Sequence, residues 1–212
     1  MTPDQPGPAD PLAPAPEADG EADSKAETDS KAATDGETPP TRRLILLRHA
    51  KSAWPDGVSD PERPLAARGV ADATAAGPIL AALAPLTAAD VVLCSPARRT
   101  RQTWRLVGQA LPDLPPTRFE PAIYGAEVDD LLDLIRSVPD AVATVVVVGH
   151  EPTMSQTAAA LAGPGSDRAD LARLNAKYPT SGMAVFTLGP NVGWSGLDLR
   201  KATLERFVVP RG

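Results

Sequence analysis

Three short apolar runs constrain the fold of this chain more than any other feature of its sequence. They lie at residues 44–47, 91–94 and 144–148, and none of them alternates apolar with polar residues. Strands that are buried on both faces have this pattern, which is typical of parallel sheets covered by helices. Helical patterns separate the runs. The sequence therefore predicts an α/β fold in three layers, with a largely parallel sheet flanked by helices.

Helical faces and two further strands complete this pattern. A fourth helix is expected after His150, and residues 182–188 and 203–209 are expected to be strands joined through a glycine-rich turn at a sheet edge. Apolar residues recur at helical spacing in three other places. These three faces are Val70, Ala73, Gly77, Leu80 and Ala84; Ala97, Thr100, Trp104, Val107 and Leu111; and Leu131, Leu132 and Ile135.

The beginning of the chain differs in composition from the rest. Residues 1–40 contain 8 Pro, 10 acidic residues and 2 Lys, a net charge of −8, so the whole-chain charge of −6 leaves +2 for the remainder. A segment this polar cannot bury enough apolar surface to offset its ordering entropy. We therefore predict a disordered acidic leader over residues 1–41, either a solvated spacer or an interaction arm, and one folded domain over residues 42–212.

Composition excludes several classes of protein. The single Cys is incompatible with a disulfide scaffold, and two His argue against a metal site built from several imidazoles. No run of 18 apolar residues and no signal-peptide pattern is present. A domain charge of +2 gives no strong attraction to nucleic acid. We expect a cytoplasmic protein without metal, cofactor, nucleic acid or membrane partner, and a monomer as the simplest oligomeric state.

Both histidines of the chain fall directly after predicted buried strands. The segments that follow the three strands are RHAKS at 48–52, SPARR at 95–99 and GHEP at 149–152. In α/β sheets, ligands bind beyond the carboxyl ends of the strands. We therefore expect these segments to form one site, although each histidine could instead have a structural role in the core or at a helix end.

The arginines in these segments suit a phosphoryl group, because guanidinium donates in a planar, permanently charged fork that matches phosphate oxygens. Arg48 is the first candidate. The second lies on a helix that we predict to begin with Ser95 as N-cap and Pro96 at its first position. Arg99 is favoured there over Arg98, because Arg98 shares a solvated face with two further arginines. These are Arg101 and Arg105.

Imidazole is a competent nucleophile toward phosphorus when it is neutral, and its ordinary pKa near 6.5 makes that form available. His49 is our candidate nucleophile, with Arg48, Arg99 and His150 supplying positive charge to the transferring group. A cysteine phosphatase is not supported, since the arginines that follow Cys94 miss the required spacing by one residue. We interpret Cys94 as a small apolar strand residue.

Six features occur in order along the chain: LLRHAKS at 46–52, SDxxRPL at 59–65, SPxxRxxQT at 95–103, Tyr124, VGHxP at 148–152 and RFVVPR at 206–211. Together they resemble the histidine phosphatase superfamily and, within it, the small SixA-like phosphohistidine phosphatases. The resemblance spans about residues 42–211 and leaves the leader out. It implies a fold like that of phosphoglycerate mutase and a phosphohistidine intermediate on His49, in a pocket formed with Arg48, Arg99 and His150.

The same resemblance assigns further residues. The second arginine of the pocket lies four positions after the serine of the Ser-Pro motif, which is Arg99. Arg63 is either a further phosphate contact or part of an ion pair beside a helix, and Lys51 and Ser52 are expected on the rim. Asp60 aligns with an aspartate that would serve as the general acid. The competing acids are Glu62, Glu120 and Glu151.

We therefore predict a metal-independent phosphatase that hydrolyses phosphohistidine or phosphomonoesters through a phosphohistidine enzyme intermediate. Only 50 residues separate Arg99 from His150, too few for a separate lid domain. We expect an open site whose partner is a phosphorylated protein or a small phosphomonoester. The alternatives are a broad small-molecule phosphatase or a phosphomutase that uses the same intermediate, and a catalytically idle phospho-binding module.

Overall fold

The computed structural model describes residues 41–212, in which helices and strands alternate. The predicted disordered leader, residues 1–41, lies outside the described residues apart from Thr41. Short 3-10 helices occur at Asp60–Glu62, Pro121–Tyr124 and Trp194–Gly196. In chain order, the longer elements are β1 (Arg43–Arg48), α1 (Ala67–Leu83), β2 (Val91–Cys94), α2 (Arg98–Gly108), β3 (Thr117–Phe119), α3 (Val128–Arg136), β4 (Thr144–Gly149), α4 (Thr153–Leu161), α5 (Arg168–Ala176), β5 (Met183–Leu188) and β6 (Ala202–Val208).

One mixed sheet connects the six strands in the order β3-β2-β4-β1-β5-β6. The first four of these strands are parallel, whereas β5 is antiparallel to β1 and β6 is antiparallel to β5. Every residue of the three apolar runs, 44–47, 91–94 and 144–148, is buried. The prediction of a largely parallel sheet with two further strands at one edge is therefore confirmed.

Alternate residues of the central strands pack into two separate cores. Leu44 and Leu46 of β1 belong to the core that includes α3, α4 and α5, whereas Ile45 and Leu47 belong to the core that includes α1 and α2. Burial of each such side chain contributes about 1.5–3 kcal/mol. The sheet is thus the middle of three layers.

A close backbone contact holds the chain that follows β1 against α1. A Cβ atom on Gly69 would lie 2.0 Å from the carbonyl oxygen of Lys51, so only glycine fits at this position. The amide of Ala66 donates to the same carbonyl at 2.9 Å. The residues just after His49 are therefore held in place by the beginning of α1.

The prediction of which residues of α1 are buried is partly wrong. Ala73, Gly77 and Leu80 are buried as expected, but Val70 is 44% exposed. The buried face includes Asp72 instead, a fully buried carboxylate that accepts hydrogen bonds from the last two residues of the chain. The donors, Arg211 Nη1 and the amide of Gly212, both lie 3.4 Å from it.

The predicted beginning of α2 is also wrong. The helix begins at Arg98 with Ala97 as its N-cap, not with Ser95 as the cap and Pro96 as the first residue. The Ser95 hydroxyl is 3.4 Å from the Ala97 amide but 2.8 Å from a ring nitrogen of His150. It therefore bonds mainly to the histidine, which lies 55 positions away in sequence.

Two elements were not predicted from the sequence. β3 is an edge strand of three residues that are all at least partly exposed, and α5 buries only Asp170 and Leu174. Neither has enough buried apolar residues to produce a periodic pattern. The described part of the chain contains no helix with the length and apolar character needed to cross a bilayer.

Candidate active site

The two histidines meet because their strands are parallel neighbours in register. Arg48 at the end of β1 pairs with Gly149 at the end of β4, so His49 and His150 each follow directly. The His49 amide donates to the Gly149 carbonyl at 3.0 Å, which continues the pairing by one residue. The two ring centroids are 5.2 Å apart, and each side chain is 8% exposed.

The hydrogen bond of His49 fixes which ring nitrogen is free. Nδ1 lies 2.7 Å from the carbonyl oxygen of Ala50, which can only accept, so Nδ1 carries the proton and Nε2 carries the lone pair. The Ala50 amide donates to Thr103 Oγ1 of α2 at 2.9 Å, which fixes this peptide in turn. The arrangement presents an unprotonated Nε2.

Burial lowers the pKa of His49 to about 3, with the nearby charges of His150, Arg99 and Arg48 acting in the same direction. The bond to the Ala50 carbonyl opposes this shift and does not overcome it. His49 is therefore neutral near pH 7, the state that a nucleophile requires.

The hydrogen bond of His150 involves Nε2, whereas that of His49 involves Nδ1. Its Nε2 lies 2.8 Å from Ser95 Oγ, and Ser95 is fully buried. Among the side-chain hydrogen bonds of residues 41–212, this nitrogen is the single acceptor within reach of the Ser95 hydroxyl proton. Ser95 therefore donates to Nε2. The ring proton then lies on Nδ1, which has no hydrogen-bond partner within the described residues.

The pKa of His150 is also lowered, to about 4, mainly by burial and then by Arg99, while Asp60 opposes the shift. His150 is therefore neutral near pH 7 and carries one N–H at Nδ1, an atom that is itself buried. A phosphoryl oxygen could accept from this group, and the negative charge of a bound phosphoryl group would stabilise the imidazolium form.

Arg99 is buried and held by a single aspartate. Its Nη2 donates to Asp60 Oδ2 at 3.1 Å, and its Nη1 donates to the Asp60 carbonyl at 2.7 Å. The Tyr124 hydroxyl donates to the same carboxylate, and the Tyr124 ring meets the His150 ring edge to face at 5.2 Å. These contacts bring the guanidinium of Arg99 next to the two histidines.

The same contacts make Asp60 a poor proton donor. The hydroxyl of Tyr124 is the largest of several influences that hold its pKa well below the usual range, followed by the guanidinium of Arg63. A general acid needs a raised pKa, so this geometry favours Asp60 as an ionised group that positions Arg99.

Arg63 lies in an ion pair, the second of its two predicted roles. It donates from Nη1 to Asp60 at 2.8 Å, from Nη2 to Ser52 Oγ at 2.7 Å and from Nε to the Ala53 carbonyl at 3.0 Å. Ser52 is consequently buried beneath this guanidinium, which corrects its predicted place on the rim. Lys51 is exposed, as a residue on the rim would be.

Arg48 directly precedes His49 in the sequence, and Glu151 directly follows His150. Arg48 Nη1 donates to the Tyr178 carbonyl at 2.6 Å, and its Nε has no partner within the described residues. Glu151 Oε2 accepts from Ser155 at 2.5 Å, while Oε1 is buried without a partner in the same part of the chain. Burial raises the pKa of Glu151, and the hydrogen bond from Ser155, followed by the charge of Arg48, partly offsets this.

A cavity of about 530 Å³ opens beside His150, and its lining includes Tyr124 and Glu151. Glu62 and Glu120, the remaining candidates for the acid, do not line it. Glu151 is therefore the carboxyl group with a raised pKa that lies at the site. Cys94 is buried, and burial raises its pKa to about 12, as expected of an inert strand residue.

Sequence reasoning gave no role to Ser95 as a partner of His150 or to Tyr124 as a partner of Asp60. Ser95 follows β2, the strand beside β4, so the strand order would have identified it. Tyr124 is 64 residues from Asp60 in sequence, and no spacing rule connects the two.

Comparison with known proteins identifies the family of the chain. Residues 44–124 match the family model of the histidine phosphatase superfamily, branch 1. An uncharacterized protein of Mycobacterium tuberculosis is 44% identical over 166 residues, which cover 78% of this chain and all of that protein.

Solved structures are also similar. A Nakamurella multipartitia protein described as a phosphohistidine phosphatase, SixA, is 34% identical with a TM-score of 0.69, and the match covers 82% of this chain and 99% of that one. Phosphoglycerate mutase from Plasmodium falciparum shares the fold at 16% identity and a TM-score of 0.50, over 82% of this chain and 94% of that one. The predicted likeness to phosphoglycerate mutase is confirmed.

Proposed function

The chain belongs to the histidine phosphatase superfamily, in its SixA-like branch, and we propose that this phosphatase hydrolyses phosphohistidine in proteins through a phosphoryl group carried on Nε2 of His49. The observation that carries the proposal is the 2.7 Å bond from His49 Nδ1 to the Ala50 carbonyl. This bond leaves an unprotonated nitrogen next to a second histidine and the guanidinium of Arg99.

In the first step, the lone pair of His49 Nε2 attacks phosphorus. The bond from phosphorus to the leaving nitrogen breaks, and its electron pair goes to that nitrogen. The transferring group spreads its negative charge over three oxygens. Arg48, Arg99 and the Nδ1–H of His150 supply positive charge and donors to these oxygens. The phosphorylated His49 ring gains a positive charge, which the Ala50 carbonyl stabilises.

In the second step, water attacks phosphorus and the bond to His49 breaks. Its electron pair returns to Nε2, and inorganic phosphate leaves after one proton of the water has passed to a phosphate oxygen or to solvent. The same donors stabilise both transition states, because both place the charge on the same three oxygens. His49 returns to its starting tautomer.

The candidate substrates differ in whether their leaving group needs a proton from the enzyme. Phosphohistidine that is protonated on its second ring nitrogen releases neutral imidazole without a further proton. An alkyl or aryl phosphate leaves as an oxyanion and gains more from an acid. Glu151, with its raised pKa, would supply that acid, whereas Asp60 acts through Arg99.

Replacement of Asp60 by Asn tests this division. We expect about a tenfold loss of kcat/KM for both p-nitrophenyl phosphate and a phosphohistidine peptide, because the loss arises from a misplaced Arg99 in both reactions. The pH profile of the aryl phosphate reaction should keep its shape. A loss restricted to the aryl phosphate, with a changed profile, would instead identify Asp60 as the acid.

The proposal includes no metal ion. Arginine side chains and a ring N–H would supply the charge stabilisation that a metal supplies in other phosphatases. Residues 41–212 contain no group of three or more His, Cys, Asp or Glu side chains arranged to hold a metal. Activity should therefore persist in the presence of a strong chelator.

The test uses the full chain with a chelator and two substrates, a phosphohistidine peptide and p-nitrophenyl phosphate. We expect turnover of both, and loss of both in His49→Ala. An inert wild-type protein would favour a phospho-binding module, and activity that returns only with added metal would contradict metal independence. Comparable turnover of a phosphorylated protein and a small sugar phosphate would contradict a protein substrate.

A further inference from the structure

The cavity beside His150 is much larger than one phosphoryl group needs. Its volume of about 530 Å³ lies in the range of pockets that hold a small molecule or a few side chains. Its lining comes from the first turns of two helices, α3 and α4, and from the chain that leads into each. The cavity therefore has room for whatever is attached to the phosphoryl group.

The lining of this cavity is acidic. Glu127, Asp129 and Glu151 contribute carboxyl groups, and no lysine or arginine lines it within residues 41–212. The positive end of the α3 dipole offsets part of the charge of Asp129, which is the second residue of that helix. The side chains themselves still favour a positively charged occupant over a negative one.

His150 marks the end of the cavity at which the phosphoryl group would lie. This side chain lines the cavity, is 8% exposed and has an Nδ1 without a hydrogen-bond partner in the described part of the chain. A buried donor without a partner is costly unless a ligand satisfies it. The phosphoryl group is thus expected between His49 and His150, with its leaving group directed into the acidic cavity.

We propose that this cavity, together with Glu127 and Asp129, selects substrates in which lysine or arginine flanks the phosphorylated residue. The inference rests on the proposed function and deepens it by naming a substrate class. A phosphohistidine in a basic segment places positive side chains against the carboxylates while its phosphoryl group binds the arginines. Leaving groups that carry a second phosphate or a carboxylate are repelled.

The test compares two peptides that share the same phosphohistidine, one with lysine and one with glutamate on both sides. We expect the wild-type protein to show a kcat/KM about fivefold higher for the lysine-flanked peptide, the size expected for one or two exposed ion pairs. Raising the ionic strength from about 0.05 M to about 0.5 M should bring the ratio toward one, because salt screens such pairs.

The variant Glu127→Gln/Asp129→Asn should lower the ratio toward one at low salt. Asp133→Asn provides a matched control, because it removes a charge from the same helix, α3, outside the cavity. The ratio should stay near its wild-type value in this control. Thermal unfolding of each variant confirms that it is folded.

The outcomes separate this inference from the proposed function. Equal turnover of the two peptides by the wild-type protein, or an equal change of the ratio in both variants, would overturn the inference while phosphohistidine hydrolysis stands. Turnover of p-nitrophenyl phosphate without turnover of either peptide would overturn the protein substrate. Absence of all turnover would overturn the phosphatase mechanism itself.

Discussion

His49 and His150 follow neighbouring parallel strands, and their side chains are equally buried. Their hydrogen bonds nevertheless differ. His49 donates from Nδ1 to the carbonyl of the next residue, whereas His150 accepts at Nε2 from Ser95, a residue of another strand end. The first ring therefore presents a lone pair and the second presents an N–H. A single hydrogen bond to each ring is therefore enough to make two like residues present different groups.

Loss of His49, the proposed nucleophile, should have the largest effect on activity. We expect His49→Ala to lower kcat by at least about 10⁴-fold and to abolish the phosphoenzyme, because the variant lacks the nitrogen that we propose attacks phosphorus. Rapid-quench kinetics with a labelled phosphohistidine peptide would measure both. Residual phosphoenzyme in this variant would show that the two histidines are not divided in this way.

Loss of His150, the proposed hydrogen-bond donor, should have a smaller effect on activity. We expect His150→Ala to lower kcat by about 10²- to 10³-fold, the usual result of removing one preorganised donor. The phosphoryl group should still form on His49, only more slowly. A complete absence of phosphoenzyme would instead give His150 an essential covalent role.

The hydroxyl of Ser95 should set the tautomer of His150. We expect Ser95→Ala to lower kcat by about tenfold with little change in KM, because the ring then populates both tautomers. Nitrogen chemical shifts of His150 would show the proton moving from Nδ1 to Nε2 in part of the population. Ser137→Ala removes a similar hydroxyl at the end of α3 and serves as the control. An unchanged tautomer in Ser95→Ala would contradict the assignment.

Both histidines should make stability depend on pH. Their folded-state pKa values, about 3 for His49 and about 4 for His150, lie below the ordinary value near 6.5 of the unfolded chain. The unfolded state then takes up protons first, so stability falls as the pH is lowered through 6.5. Between pH 7.5 and 5.5, each histidine should remove about 1 kcal/mol of unfolding free energy.

Urea unfolding at these two pH values would measure this dependence. His49→Ala and His150→Ala should each lose about half of the wild-type difference, whatever their absolute stability. Equal pH dependence in the wild-type protein and both variants would show that the two rings are not buried in the neutral state.

The sequence was sufficient to predict β1, β2 and β4, because runs such as residues 145–148 are apolar without interruption. The meeting of His49 and His150 also followed, since parallel strands place their ends together. The nitrogen that each ring presents was not predictable. For His49 it depends on the bond to the Ala50 carbonyl, and for His150 it depends on Ser95, which reaches that ring only because β2 pairs with β4.

The acid was the least predictable part of the site. Its assignment depends on pKa values, which are set by partners distant in sequence. The pKa of Asp60 is lowered by Tyr124, which lies 64 residues further along the chain, and no local sequence pattern indicates that contact. The pKa of Glu151 is raised mainly by burial, which depends on the packing around the beginning of α4.

The position of the phosphoryl group in the trapped phosphoenzyme decides whether Nε2 of His49 is the nucleophile. The wild-type protein would be quenched in alkali during turnover, digested, and analysed by tandem mass spectrometry and phosphorus NMR. We expect a single phosphoryl group on Nε2 of His49. A phosphoryl group on Nδ1 of His49, or on His150, would contradict it.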